Sequence, residues 1–150
     1  MKFFNKLIIL LIVTGCGYTP IFYTADSDFT ISGIKILKEN QTTREIERAL
    51  KPYKNLNQKS KSYTLDITGE TKKITVTKDS KGDEKTYRME TTLEIKIYAN
   101  DEIIKKKKFL ESFVYNNETN KFKLKKYENS IKENLINKIL ENLILEFYTL

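Results

Sequence analysis

Apolar and polar positions in this chain follow two periods. Phe29, Ile31, Ile34 and Ile36 are spaced by two, with a change of phase at Gly33, which predicts a first strand bent or bulged at the glycine. Ile46, Ala49, Leu50 and Tyr53 fall at i, i+3, i+4 and i+7, one face of a helix. Thr42 followed by Glu45 reads as its capping box, and Pro52 should end or kink it near Lys51. After a polar linker, Asn55 to Ser62, Tyr63, Leu65 and Ile67 alternate with polar residues, and Ile74 and Val76 resume in a second phase beyond Gly69. That predicts a long or interrupted strand. Lys78 to Asp83 is the strongest turn signal. The next strand is the clearest: Tyr87, Met89, Thr91, Leu93, Ile95, Ile97 and Ala99 face one way, and Arg88, Glu90, Thr92, Glu94 and Lys96 the other. Asn100-Asp101 turns the chain into a fourth strand, Ile103 to Tyr115, with Phe109, Phe113 and Tyr115 in one phase.

A long helix should run from about Phe122 to Phe147. Leu135, Ile136, Ile139, Leu140, Leu143, Ile144 and Phe147 cover an arc of about 180°, wider than the roughly 100° that a helix lying on one sheet needs. The extra width calls for a second neighbour, either the first helix or a partner protein. The order strand, helix, three strands, helix predicts a two-layer α+β sandwich, β-α-β-β-β-α. Both helices should pack on one face of a mostly antiparallel four-stranded sheet, with the first strand free to pair in parallel across its helical crossover.

The N-terminus follows other rules. Lys2 and Lys6 precede the apolar run Leu7 to Val13, and Thr14-Gly15 lead to Cys16, the only cysteine. A basic start, a short apolar run and small residues are the pattern of a secretory signal. The run is too short for a spanning helix, which needs about 20 apolar residues. The order apolar, small, small, Cys resembles the lipobox of bacterial lipoproteins. That resemblance implies cleavage before Cys16, an S-diacylglyceryl group on its thiol and an acyl group on the new amine. The expected organisation is a signal peptide over 1–15, a lipidated tether over 16–28 and a single domain over 29–150.

Composition narrows the chemistry. The formal charge is +7, and +5 once Lys2 and Lys6 are removed. Such a balance ordinarily raises nucleic acid as a partner, but an exported protein does not meet it, so an anionic component of the envelope is expected instead. One cysteine used for lipid leaves no disulfide, and the chain has no histidine. That removes every Ser-His or Cys-His arrangement and the commonest metal ligand. Glu90 and Glu94 lie on one strand face about 13 Å apart, too far for paired-carboxylate glycoside hydrolysis. No enzyme, catalytic residue or metal site is expected.

Cys16-Gly17-Tyr18-Thr19-Pro20-Ile21-Phe22, the Tyr115-Asn116 pair at the end of the last strand and the order of elements are similar to the LPS-assembly lipoprotein family, LptE. Phe22 stands where that family often has Tyr, and Lys125-Lys126 where it often has small residues. The resemblance implies a non-enzymatic lipoprotein on the periplasmic face of the outer membrane. It would plug and help assemble a large β-barrel LPS translocon of the LptD type and help deliver lipopolysaccharide to the cell surface. Gly17, rather than Asp, after the lipidated cysteine agrees with outer-membrane sorting. No cofactor beyond the covalent lipid is implied. Lys78, Lys81 and Lys85 around the Gly82 turn, with Arg88 on the polar strand face, are the candidate contacts to lipid phosphates. The run Lys105 to Lys108 reads first as a lysine-guarded sheet edge. The alternative function is a stand-alone periplasmic lipoprotein that binds a small apolar or anionic ligand.

Overall fold

A computed structural model describes residues 27–57 and 59–150. The expected signal peptide, Cys16 and nearly all of the expected tether lie outside the described residues. Four strands and two helices follow in the expected order: β1 (Phe29–Ile36), α1 (Gln41–Leu50), β2 (Lys61–Lys78), β3 (Glu84–Ala99), β4 (Glu102–Asn116) and α2 (Lys121–Tyr148). The sheet order is β1-β2-β3-β4, with β1 parallel to β2 and the other pairs antiparallel. The fold is α+β.

The local punctuation acts as its chemistry requires. The register of β1 against β2 shifts between Ile31 and Gly33, so the phase change in the sequence is a bulge. Pro52 ends α1, and Lys51–Tyr53 continue as a single 3-10 turn. Asn100 and Asp101 both have positive φ, 49° and 65°, and close a two-residue hairpin between Ala99 and Glu102. Gly82 takes φ 90° in the turn before β3.

Two details differ from the sequence reading. The N-cap of α1 is Asn40, not Thr42: Asn40 Oδ1 accepts from Thr43 N at 3.0 Å, and Thr43 Oγ1 accepts from Asn40 N at 3.0 Å. The box thus begins two residues earlier, because Thr42 and Thr43 are needed inside. Glu45 instead reaches across to Lys132 of α2, at 3.0 Å. The second difference concerns β2, which is continuous. Ile74 lies opposite Arg88, on the sheet face away from the helices, so the second apolar phase after Gly69 belongs to the other side.

Both helices cover one sheet face. The main core joins Leu65 and Ile67 of β2, Leu93, Ile95 and Ile97 of β3 and Phe109 of β4 to Ile46 and Leu50 of α1 and to Ile136, Ile139, Leu140, Leu143 and Phe147 of α2. The wide apolar arc of α2 is therefore shared between the sheet and α1. Phe29 anchors β1 in this core, its ring 4.8 Å from Phe147 and stacked at 5.5 Å on Tyr53. A smaller cluster, Tyr87, Met89, Tyr115, Leu124, Ile131 and Leu135, fills the far end of β3 and β4 under the first half of α2. On β3 the two cores meet at buried Thr91, whose hydroxyl continues through Thr71 to Thr42 in steps of 3.0 Å. Gly69 lets α1 approach here. A Cβ at this position would lie 3.3 Å from Thr92 O and 3.4 Å from Thr43 Cγ2, and Asn40 Nδ2 donates to Gly69 O at 2.7 Å.

Ile139 is fully buried where the sheet, α1 and α2 meet. Ile139→Ala should cost about 3 kcal/mol in urea unfolding, whereas Phe122→Ala, at an exposed site on the same helix, should change stability by less than about 0.5 kcal/mol. Asn40→Ala should cost about 1 kcal/mol or more by the same measurement, because it removes the cap and strands Gly69 O.

Candidate functional site

The β2–β3 hairpin carries the lysines singled out in the sequence. Its tip is organised by Asp79, whose carboxylate accepts from Lys81 N and Asp83 N, both at 2.9 Å. These backbone bonds, Asp83 first, and nearby Lys85 hold the Asp79 carboxyl below its usual range. Lys85 Nζ stands 3.6 Å from Asp79, and Lys78 lies opposite Glu84 in the register. Lys78 and Lys85 both line an open cleft of about 620 Å³ between the hairpin and the segment leading into α2. Asp79, Asp83, Glu84 and Glu118 line it too, so the cleft is mixed in charge. Arg88 is on the sheet face away from the helices. Its Nε lies 2.9 Å from Glu90 Oε1 but makes no hydrogen bond, so that contact is one of charge alone. The hairpin thus brings Lys78 and Lys85 to one cleft, puts Lys81 at the tip and leaves Arg88 on another surface.

Beneath the hairpin, acids and phenols lock strands to helix. Glu84 accepts from Tyr87 Oη at 2.6 Å and from Thr75 Oγ1 at 2.7 Å. The bond to Glu84 pushes the Tyr87 phenol up to about 12. Lys73 Nζ sits 3.5 Å above the Tyr87 ring and 2.7 Å from Glu128 of α2, which also accepts from Tyr115 Oη at 2.9 Å. Burial works to raise the Glu128 carboxyl, but the bonds from Lys73 and Tyr115 outweigh it and hold the group low.

The lysine run of β4 is divided between the two faces of the sheet. Alternation sends Lys105 and Lys107 to the helix face, where both pair with Glu146 in the last turn of α2; Lys105 Nζ is 2.8 Å away. A carboxylate near a helix C-terminus opposes the macrodipole, and Glu146 is almost fully buried. The bonds from Lys105 and then Lys107 offset both costs and hold its carboxyl below the usual range. On the opposite face Lys108 pairs with Glu94 at 2.8 Å. Lys106 faces Lys96 directly across β3–β4, beside Asp66, whose carboxylate accepts from Tyr98 Oη at 2.8 Å. Among the described residues neither Lys96 nor Lys106 is in an ion pair. Together with Leu37, Thr68 and Glu94 they line a shallow trough of about 490 Å³ on the uncovered face. Sequence reasoning missed this pair. Alternation puts Lys96 on the polar face, but only the register sets it against Lys106.

No helix among the described residues is long and apolar enough to cross a membrane, and no group of acidic, histidine or cysteine side chains among them could hold a metal ion.

No family model matches this chain, and no curated protein matches it by sequence. Solved structures do share its fold. The rare lipoprotein B from Shewanella oneidensis is similar at a TM-score of 0.55 and 16% identity, over 80% of this chain and 93% of that one. Uncharacterized lipoprotein B from Nitrosomonas europaea is similar at a TM-score of 0.60 and 9% identity, over 77% and 80% of the two chains. The minor lipoprotein from Acinetobacter baumannii is similar at a TM-score of 0.52 and 10% identity, covering 78% and 94%. The sheet with two helices on one face is therefore a fold found in bacterial lipoproteins.

Since the folded carboxyl of Glu146 is held low, the stability it contributes is fully present above the ordinary glutamate range, about 4.3. It is lost as pH falls through the lowered folded value. Glu146→Gln should reduce stability by about 1 kcal/mol at neutral pH, a modest value because both lysines keep access to water. The variant should also lose less stability than the parent as pH falls from about 5 to 3. Thermal unfolding across that range is the check.

Proposed function

We propose that this chain is a lipid-anchored protein of the outer membrane, attached through Cys16, that plugs a large β-barrel LPS translocon and supports its assembly. In this reading it also helps pass lipopolysaccharide to the cell surface and is not an enzyme. The observation that carries the reading is the conjunction of the Cys16-Gly17-Tyr18-Thr19-Pro20 start with a fold shared by lipoproteins of three other bacteria. Two acyl groups or more would make the attachment effectively stable, where one chain alone is marginal.

The rest of the molecule is compatible with this role. The chain has no histidine, and Glu146, Glu84 and Glu128 are engaged in holding lysines and phenols. The β2–β3 hairpin projects Lys81 beyond the body of the sheet, where a lipid phosphate or the barrel lumen could meet it. Lys78, Lys85 and Arg88 remain the neighbouring cations to which phosphates could bind.

The test is to recover tagged full-length protein from detergent-solubilised outer membranes and identify what accompanies it by mass spectrometry. A stoichiometric large β-barrel is the expected result. A lipidated but solitary protein would overturn the plug reading in favour of a stand-alone periplasmic ligand binder. Cys16→Ala should abolish incorporation of labelled palmitate and release the chain from the membrane fraction.

A further inference from the structure

The two edges of the sheet are treated differently. The β1 edge is short and covered by its own chain: Lys54 bridges to Ile31, Asn55 N donates to Ile31 O at 3.1 Å, and Leu56 N donates to Thr30 Oγ1 at 2.8 Å. The β4 edge runs for 15 residues, roughly 50 Å, and among the described residues no strand pairs with its outer side. An open edge of that length presents unpaired N–H and C=O groups to any extended chain, and natural sheets blunt such edges, most often with lysine. Here lysine guards only the first half. From Phe109 to Asn116 the one charged residue is Glu111, and it is neutralised by Lys138 of α2 at 2.7 Å.

The unguarded half is flanked by exposed apolar side chains on both faces. Leu110 and Val114 are 58% and 54% exposed on the open face. Phe113 of β4 and Tyr127 of α2 are each 47% exposed on the helix side. Between them lies a notch of about 120 Å³, with Ile131 and Leu135 in its wall. A backbone edge bordered by apolar positions on both faces is the geometry by which extended peptides add a strand to a sheet.

Charge says what kind of strand fits. Lys106 and Lys96 are like charges directly opposite each other, an unfavourable arrangement; Lys96 has Asp66 opposite it on β2, so Lys106 is the one with no carboxylate across the ladder. Lys105, Lys107 and Lys108 already have Glu146 or Glu94. A strand laid beside β4 would place one of its side chains next to Lys106 on the open face, and a carboxylate there would relieve the pair. Lys106, Leu110 and Val114 share that face at intervals of four residues. A second copy of this chain would instead bring another four-lysine run, and a further net positive charge of +5 without Lys2 and Lys6, to the same edge.

We propose that the outer edge of β4 is a strand-addition site for an extended segment of a partner protein. That segment carries an Asp or Glu facing Lys106 and apolar residues four and eight positions away facing Leu110 and Val114. The site follows from the sheet edge alone and stands whether or not the plug reading holds.

The test uses the full-length lipidated protein in detergent and short synthetic peptides of that pattern, with amide hydrogen exchange as the readout. The matched peptide should slow exchange across residues 109–116 and leave β1 unchanged. Replacing its carboxylate by lysine should weaken binding by roughly threefold or more. Leu110→Lys with Val114→Glu should remove the protection with little change in melting temperature, because both side chains are exposed and the new carboxylate faces Arg88 across the ladder. Absence of protection, equal protection by a scrambled peptide, or sedimentation showing that the edge is closed by self-association would each overturn the proposal.

Discussion

Burial of one arc of α2 is the contact on which the molecule depends. Its second half places Ile136, Ile139, Leu140, Leu143 and Phe147 in one core with residues of all four strands and with Ile46 and Leu50 of α1. Without α2 the sheet would expose the apolar face of β2 and β3, and α1, only ten residues long, would lose its helical neighbour. A helix of that length is marginal in water by itself. The same burial gathers Phe29 and Tyr63 around Phe147 and so ties the parallel strand β1 to the last turn of α2.

Lysine abundance creates the second constraint. A sheet face or helix flank with many ammonium groups is tolerable when carboxylates are spread among them, and the fold does this over long sequence distances. Glu146 meets Lys107 across 39 residues, and Glu128 meets Lys73 across 55. Glu45 meets Lys132 across 87, joining the two helices. These pairs act as positional locks on elements already held by apolar burial. Their net contribution to stability is small wherever water reaches the pair. Lys106, which faces Lys96 across the ladder, and the apolar second half of β4 lie together on the open edge strand of the sheet.

Element type and order were legible in the sequence because period and punctuation agree there. Period two runs without a break from Tyr87 to Ala99, Gly33 marks the change of phase that becomes a bulge, and Pro52 closes α1. The cap of α1 was misplaced because Thr42 and Glu45 satisfy the capping pattern as well as Asn40 and Thr43 do. The choice between them is made by burial: Thr42 and Thr43 go inside, and Asn40 alone can reach Gly69 O while capping. The second apolar phase of β2 was legible as a phase but not as a face, since Ile74 and Val76 would look the same on either side of the sheet. Of the candidate site, the hairpin position of Lys78, Lys81 and Lys85 followed from the Gly82 turn. The separation of Arg88 from them follows from the pleat, which turns Arg88 and Tyr87 to opposite faces.

The sequence by itself determined the α+β class and which residues of each element are apolar, because both depend on neighbours within a few positions along the chain. Tertiary structure alone decided the neighbours of charge. Period two sends Lys105 and Lys107 to one face and Lys106 and Lys108 to the other, but it contains no information about what waits there. Register across β3–β4 set Lys106 against Lys96, and the packing of α2 brought Glu146 to the remaining pair. The sharing of the broad α2 arc between sheet and first helix was settled in the same way, since an apolar arc records how much surface a helix must bury and not which element buries it.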